Sequence, residues 1–115
     1  SVNLEEKGRC CFKMNETLAT VLIRNLLKNA IIHNAPNCPV TVFVSDTKIS
    51  FINCGDTPLD LDRMMGRFFQ GDKNKKDSTG LGLPIVKSIT DIYSVTLNYF
   101  FTEGRHHFEI IFKKR

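Results

Sequence analysis

Apolar positions along the chain switch between two spacings, and each switch marks an element. In "ETLATVLIRNLLKNAIIH" (16–33), Ala19, Leu22, Ile23, Leu26, Ala30 and Ile31 recur at helical spacing, with Asn15 placed as a cap before them. Pro36 and Pro39 cannot continue a helix and end it. The period then drops to two. Val40, Val42 and Val44 of "VTVFVS" (40–45) share a face, "DTK" (46–48) turns, and "ISFIN" (49–53) returns as the second half of an antiparallel hairpin. Residues 54–62 read as loop, "RMMGRFF" (63–69) as a short helical turn, and 70–79, polar and without period, as a mobile segment. A second helix is expected from about 81 to 93. The strands "VTLNYFF" (95–101) and "HHFEIIF" (106–112) close the chain, and Phe108, Ile110 and Phe112 alternate in the last. Near the start, "RCCFKM" (9–14) reads as a further short strand. Helices separated by hairpins, in the order β-α-β-β-loop-α-β-β, make an α+β layered domain and not a doubly wound parallel sheet.

Composition narrows this picture modestly. The 115 residues fit one domain, 42% hydrophobic and 24% charged, an ordinary soluble balance. Apolar runs are only a few residues long, too short to span a membrane, and no signal-peptide pattern opens the chain. The opening "SVNLEEKGR" reads as the interior of a longer protein. Net charge is +4, with Lys73, Lys75 and Lys76 clustered centrally and Lys113, Lys114 and Arg115 at the end. A solvated surface accounts for this, and without a binding motif no nucleic-acid partner is expected. Cys10, Cys11, Cys38 and Cys54 form no C-x-x-C pair and have no histidine at zinc-ligand spacing, so they read as reduced, small apolar residues.

Three stretches carry candidate chemistry. Asn25 and Asn29 lie four apart on a largely buried helix, where asparagine is a poor choice and a buried amide needs partners. Two readings stand open: both amides line a polar cleft, where a carbonyl oxygen suits Mg²⁺ carrying phosphates, or both cap neighbouring loops. His33, near the helix end, either reaches the same cleft or is an ordinary helix-terminal histidine. Asn53 ends a strand beside Gly55, a residue free to adopt conformations closed to others, and its amide suits the polar edge of adenine; a plain strand-to-loop turn is the other reading. In "DSTGLGLPIVK" (77–87), Ser78 and Thr79 are cap residues, and Gly80 and Gly82 let backbone N–H groups approach an anion at a helix N-terminus, with Pro84 in the first turn. No glycine precedes a Lys-Ser/Thr pair and position 85 is isoleucine, which excludes the P-loop and the dinucleotide fingerprint.

Taken in order, "NLLKNAIIHN" (25–34), "NCGD" (53–56), "RFFQGD" (67–72) and "STGLGLPIVKSI" (78–89) resemble the asparagine, first glycine, phenylalanine and second glycine boxes of sensor histidine kinases. That family's ATP-binding domain is related to gyrase, the mismatch-repair ATPases and the heat-shock chaperone ATPase. The resemblance covers essentially the whole chain. It implies a two-layer α/β sandwich of the Bergerat ATP-binding type, a mixed, mostly antiparallel sheet backed by helices, with ATP and Mg²⁺ held beneath a lid at about 66–79. It implies that Asn29 coordinates Mg²⁺, that Asn25 and His33 line the same cleft, and that Asn53 reads adenine with Gly55 close to the base. Thr79, Gly80, Leu81, Gly82 and Leu83 would supply the turn and backbone donors for the phosphates, and Arg67 and Phe68 would anchor the lid. Lys73, Lys75 and Lys76 either help neutralise the phosphates or belong to a solvated loop.

Departures from the family pattern fall at Asn53, where an aspartate is usual, at Thr57, where a glycine is usual, and at Ile32, where a basic residue is common. Gyrase-like relatives carry a water-activating glutamate at the place of Asn25, and an amide is no general base. The resemblance therefore implies phosphoryl transfer to a histidine on a separate dimerisation helical domain, outside this chain. His106 and His107 lie in a predicted strand, without the acidic neighbour of a phosphoacceptor. It further implies a response regulator downstream, a homodimeric full-length protein, and a cytoplasmic domain of a protein anchored in the bacterial inner membrane. The alternative is a degenerate copy serving as an interaction scaffold without nucleotide turnover.

Overall fold

The computed structural model describes residues 2–9, 12–59 and 79–112. Among these residues lie seven elements: β1 (Val2–Glu6), α1 (Glu16–Ile32), β2 (Val40–Val44), β3 (Lys48–Cys54), α2 (Thr79–Tyr93), β4 (Thr96–Thr102) and β5 (Arg105–Ile111). The strands form one sheet in the order β1-β2-β3-β5-β4. Only β1 and β2 pair in parallel; the other three pairings are antiparallel. The α+β sandwich expected from the sequence is the fold found.

Both helices lie together against one face of the sheet, with Leu22, Leu26 and Ala30 of α1 and Leu83, Val86 and Ile89 of α2 buried against Phe51, Phe108 and Ile110. Asn15 caps α1 as its sequence suggests, its Oδ1 accepting the Leu18 N–H at 3.0 Å, an interaction worth about 1 kcal/mol. Glu103 (φ 52°) and Gly104 (φ 75°) both turn left-handed between paired Thr102 and Arg105, the two-residue turn whose twist suits a hairpin. On the opposite face, Glu109 accepts from Lys48 Nζ at 3.1 Å, Ser50 Oγ at 3.3 Å and Asn98 Nδ2 at 3.3 Å.

Four expectations need correction. The strand expected at 9–14 is absent from its described residues, Arg9 and 12–14. The Arg9 N–H bonds Asp46 Oδ1 at 3.0 Å, and Phe12 packs on Phe112, ring centres 4.9 Å apart. The strand lies instead at Val2–Glu6, exposed throughout and paired with β2 from Val2↔Val40 onward.

Cys38 and Cys54, read as reduced, are joined by a disulfide. Continuing the Thr41↔Ile52 register sets Pro39 opposite Cys54 with Cys38 beside it, a placement that no local cysteine spacing reveals. Helix α2 begins at Thr79, so Gly80 and Gly82 belong to the helix and not to a turn before it. Pro84 accordingly sits inside the helix, past its first turn, where it has no N–H to donate to the preceding turn.

Candidate nucleotide-binding site

Helix α1 and the end of β3 are stitched together. Asn34, just past α1, donates through Nδ2 to the Cys38 carbonyl and accepts the Cys54 N–H on Oδ1 at 2.8 Å, while the Ala35 N–H reaches the Cys54 carbonyl at 3.0 Å. One helical turn before His33 stands Asn29, and one residue before Cys54 stands Asn53. The two amides therefore come to the same end of the helix–sheet layer.

Both are buried, Asn29 at 2% and Asn53 at 1% exposure, and among the described residues neither the oxygen nor the nitrogen of either amide has a partner. Unpaired buried polar atoms cost about 1–3 kcal/mol each, so these two amides make candidate ligand groups. Among the described residues Asn29 caps no loop. Asn25 differs: it is half-buried, and its Nδ2 donates to the Val21 carbonyl of its own helix at 2.8 Å. It lines an open groove of about 510 Å³ together with Arg24 and Lys28, so the pair Asn25 and Asn29 spans from a cationic groove to a buried position.

His106 was not singled out from the sequence as a site residue, yet it is central here. It pairs with Asn53 across β3 and β5 and is 2% exposed. A Cβ on Gly55 would fall 2.1 Å from His106 Nε2, so residue 55 is glycine because an imidazole fills the space above it. Gly55 does not have a positive φ, which corrects the conformational reason expected for it. Tyr99 Oη accepts the Leu59 N–H at 2.9 Å and shares a 2.9 Å hydrogen bond with His106 Nδ1, whose direction follows the imidazole tautomer. Burial, reinforced by the nearby His33 and His107 rings, pushes the His106 pKa down and favours the neutral imidazole. The signal in the sequence was the alternation of β5, which places His106 on the same face as Phe108 and Ile110.

His33 closes α1, its N–H donating to the Asn29 carbonyl at 3.1 Å, and it is half-buried. Ile32 is 41% exposed. Leu83 is a core residue at 1% exposure, so any part it takes in ligand binding is through its backbone. Thr79, Gly80, Leu81 and Gly82 contribute helical backbone at the described start of α2. Arg67, Phe68, Lys73, Lys75, Lys76 and the expected lid up to residue 78 lie outside the described residues, as do Cys10 and Cys11. Among the described residues no three His, Cys, Asp or Glu side chains converge as a metal cluster, and no helix is long and apolar enough to cross a membrane.

A two-layer sandwich with orphaned amides at the junction of its first helix and second hairpin strand defines a class of nucleotide-binding ATPase domain. Residues 14–114 match the family described as histidine kinase-, DNA gyrase B-, and HSP90-like ATPase, and the chain belongs to it as an ATP-binding domain of the kind found in sensor histidine kinases. The sensor protein CzcS of Cupriavidus metallidurans is 34% identical over 103 residues, a match covering 81% of this chain and 21% of that protein. The chain thus spans about a fifth of that relative's length. The nucleotide-free catalytic domain of histidine kinase ThkA superposes with a TM-score of 0.75 at 22% identity, covering 96% of this chain and 77% of that one. The cytoplasmic segment of histidine kinase QseC gives 0.71 at 18% identity, covering 99% and 61%.

Proposed function

We propose that this domain holds Mg²⁺-ATP and presents its γ-phosphoryl to a histidine on a separate helical dimerisation domain of the same protein. The observation that carries the reading is the buried, unpartnered Asn29 amide. Its Oδ1 is a neutral oxygen donor suited to Mg²⁺, and no backbone or side-chain group of the described protein competes for it. When bound, the ion would neutralise charge on the phosphates. Asn53 would take the base, with Gly55 leaving room for His106 and His106 held by Tyr99. The first turn of α2 would offer N–H groups to the phosphates.

Transfer to an external acceptor is favoured over water attack by what stands at position 25. Asn25 cannot take a proton from water, its Nδ2 is occupied by the Val21 carbonyl, and its groove neighbours Arg24 and Lys28 are cationic. Catalysis here is therefore positioning and charge neutralisation. For the whole protein the proposal is a homodimer with this domain in the cytoplasm, an anchor in the bacterial inner membrane, and a response regulator receiving the phosphoryl group. Calorimetry of the domain with Mg²⁺ and ATP tests the first step: binding is expected, and Asn29→Ala should remove its metal dependence. Absence of heat with any adenine nucleotide overturns the proposal. Phosphorylation of an added histidine-bearing helical domain tests the second.

A further inference from the structure

Asn34 and Asn53 sit close together in the fold and differ in one respect. Both ends of the Asn34 amide are bonded, one to the Cys38 carbonyl and one to the Cys54 N–H, so its orientation is set. Neither end of Asn53 is bonded, although the residue is 1% exposed. Its cross-strand neighbour His106 gives it no anchor, because His106 Nδ1 is engaged by Tyr99 and Asn53 has no partner. An amide carries a donor and an acceptor side by side, and a half-turn about Cβ–Cγ exchanges them. That half-turn would break two hydrogen bonds at Asn34 and none at Asn53.

We propose that Asn53 makes the base end of the cleft ambivalent at the purine 6-position, so that 6-oxopurine nucleoside triphosphates bind alongside 6-aminopurine ones. This rests on the nucleotide reading above and concerns the same site. A 6-aminopurine presents a donor at C6 beside an acceptor at N1; a 6-oxopurine presents an acceptor at C6 beside an N1–H donor. Asn53 with Oδ1 toward C6 complements the first, and the half-turned amide complements the second. An ionised carboxylate only accepts, so it would welcome the amino group and repel the oxo group. Strong discrimination by a hydrogen-bonding site comes from leaving a buried polar group unmatched by the wrong ligand. A free amide leaves neither ligand unmatched.

Calorimetric titration of the 115-residue chain with Mg²⁺ and either ATP or ITP isolates the 6-position. The Kd for ITP is expected within about tenfold of that for ATP. Asn53→Asp should widen the ratio by at least about tenfold in favour of ATP. A ratio above tenfold in the unsubstituted chain overturns the proposal, as does a folded Asn53→Asp with an unchanged ratio. If the aspartate variant fails to fold, as read from its melting transition, Asn53→Ala replaces it. Equal weakening of both nucleotides then supports the proposal, and loss of ATP alone overturns it. Absence of ATP binding by the unsubstituted chain overturns the nucleotide reading itself, whereas ATP binding with ITP excluded overturns only the base ambivalence.

Discussion

His106 occupies the space that a side chain on residue 55 would need: its Nε2 lies 2.1 Å from where the Cβ would stand. The imidazole cannot swing aside freely, because it is buried and held through Nδ1 by Tyr99. Gly55→Ala is therefore expected to destabilise the domain by about 1–3 kcal/mol, the usual cost of overpacking. Adding His106→Ser to Gly55→Ala should recover part of the loss, and denaturant midpoints of the two single variants and the double variant measure the coupling.

Burial lowers the His106 pKa from its ordinary value, with the His33 and His107 rings adding to the effect. A base with a depressed folded-state pKa binds fewer protons folded than unfolded, so stability rises with pH. It is fully present above the unfolded value near pH 6.5 and declines as pH falls from there toward the folded pKa. Urea midpoints should drop between about pH 7 and pH 5. His106→Gln should flatten that part of the profile, and an unchanged slope in the variant would contradict the assignment.

Glu109 behaves in the opposite sense chemically and in the same direction with pH. Burial alone would raise its carboxyl pKa, but hydrogen bonds from Lys48, Asn98 and Ser50 outweigh it and hold the group below its ordinary value. Its stabilisation is present above the unfolded pKa near 4.5 and is lost as pH falls through the folded one. Glu109→Gln should cost about 1 kcal/mol at pH 7, screened at the partly exposed Lys48, and nothing once the carboxyl is protonated. Thermal melts at pH 7 and pH 3 check the difference.

Asn29→Leu separates function from folding. The native amide is buried with no partner, so an apolar side chain of similar volume removes a desolvation cost of about 1–3 kcal/mol. Thermal stability is expected to stay level or rise while Mg²⁺-dependent ATP binding disappears. A large loss of stability would show that the amide has a structural role.

The Cys38–Cys54 bridge closes a loop of 16-residue separation, for which chain entropy predicts about 3 kcal/mol of stabilisation. Cys54→Ser, or reduction under native conditions, should lower the denaturation midpoint accordingly. Thiol alkylation with and without reductant counts the cysteines engaged.

Much of the fold was legible because α1, β2, β3 and β5 carry long, clean apolar periods, and Asn25 with Asn29 stood out as amides inside such a period. What escaped detection depends on non-local pairing. Strand β1 has five residues, all exposed, and is defined only by its parallel contact with β2. The disulfide needs the β2–β3 register to bring Cys38 beside Cys54. The reason for Gly55 lies some fifty residues away, in a histidine that the "HH" of β5 left looking like ordinary strand. Asn25 and Asn29 share a spacing, yet only tertiary packing tells that one is tied to its own helix and the other to nothing.

The clamp formed by Asn34 and the Cys38–Cys54 bridge stiffens one wall of the proposed cleft. The base-side wall is a covalent ring through β2 and β3, with Asn34 pinning it to the end of α1. The start of α2 has no such tether among the described residues. On the proposed nucleotide reading, the ring holds the base-side wall in one shape whether or not a ligand is bound.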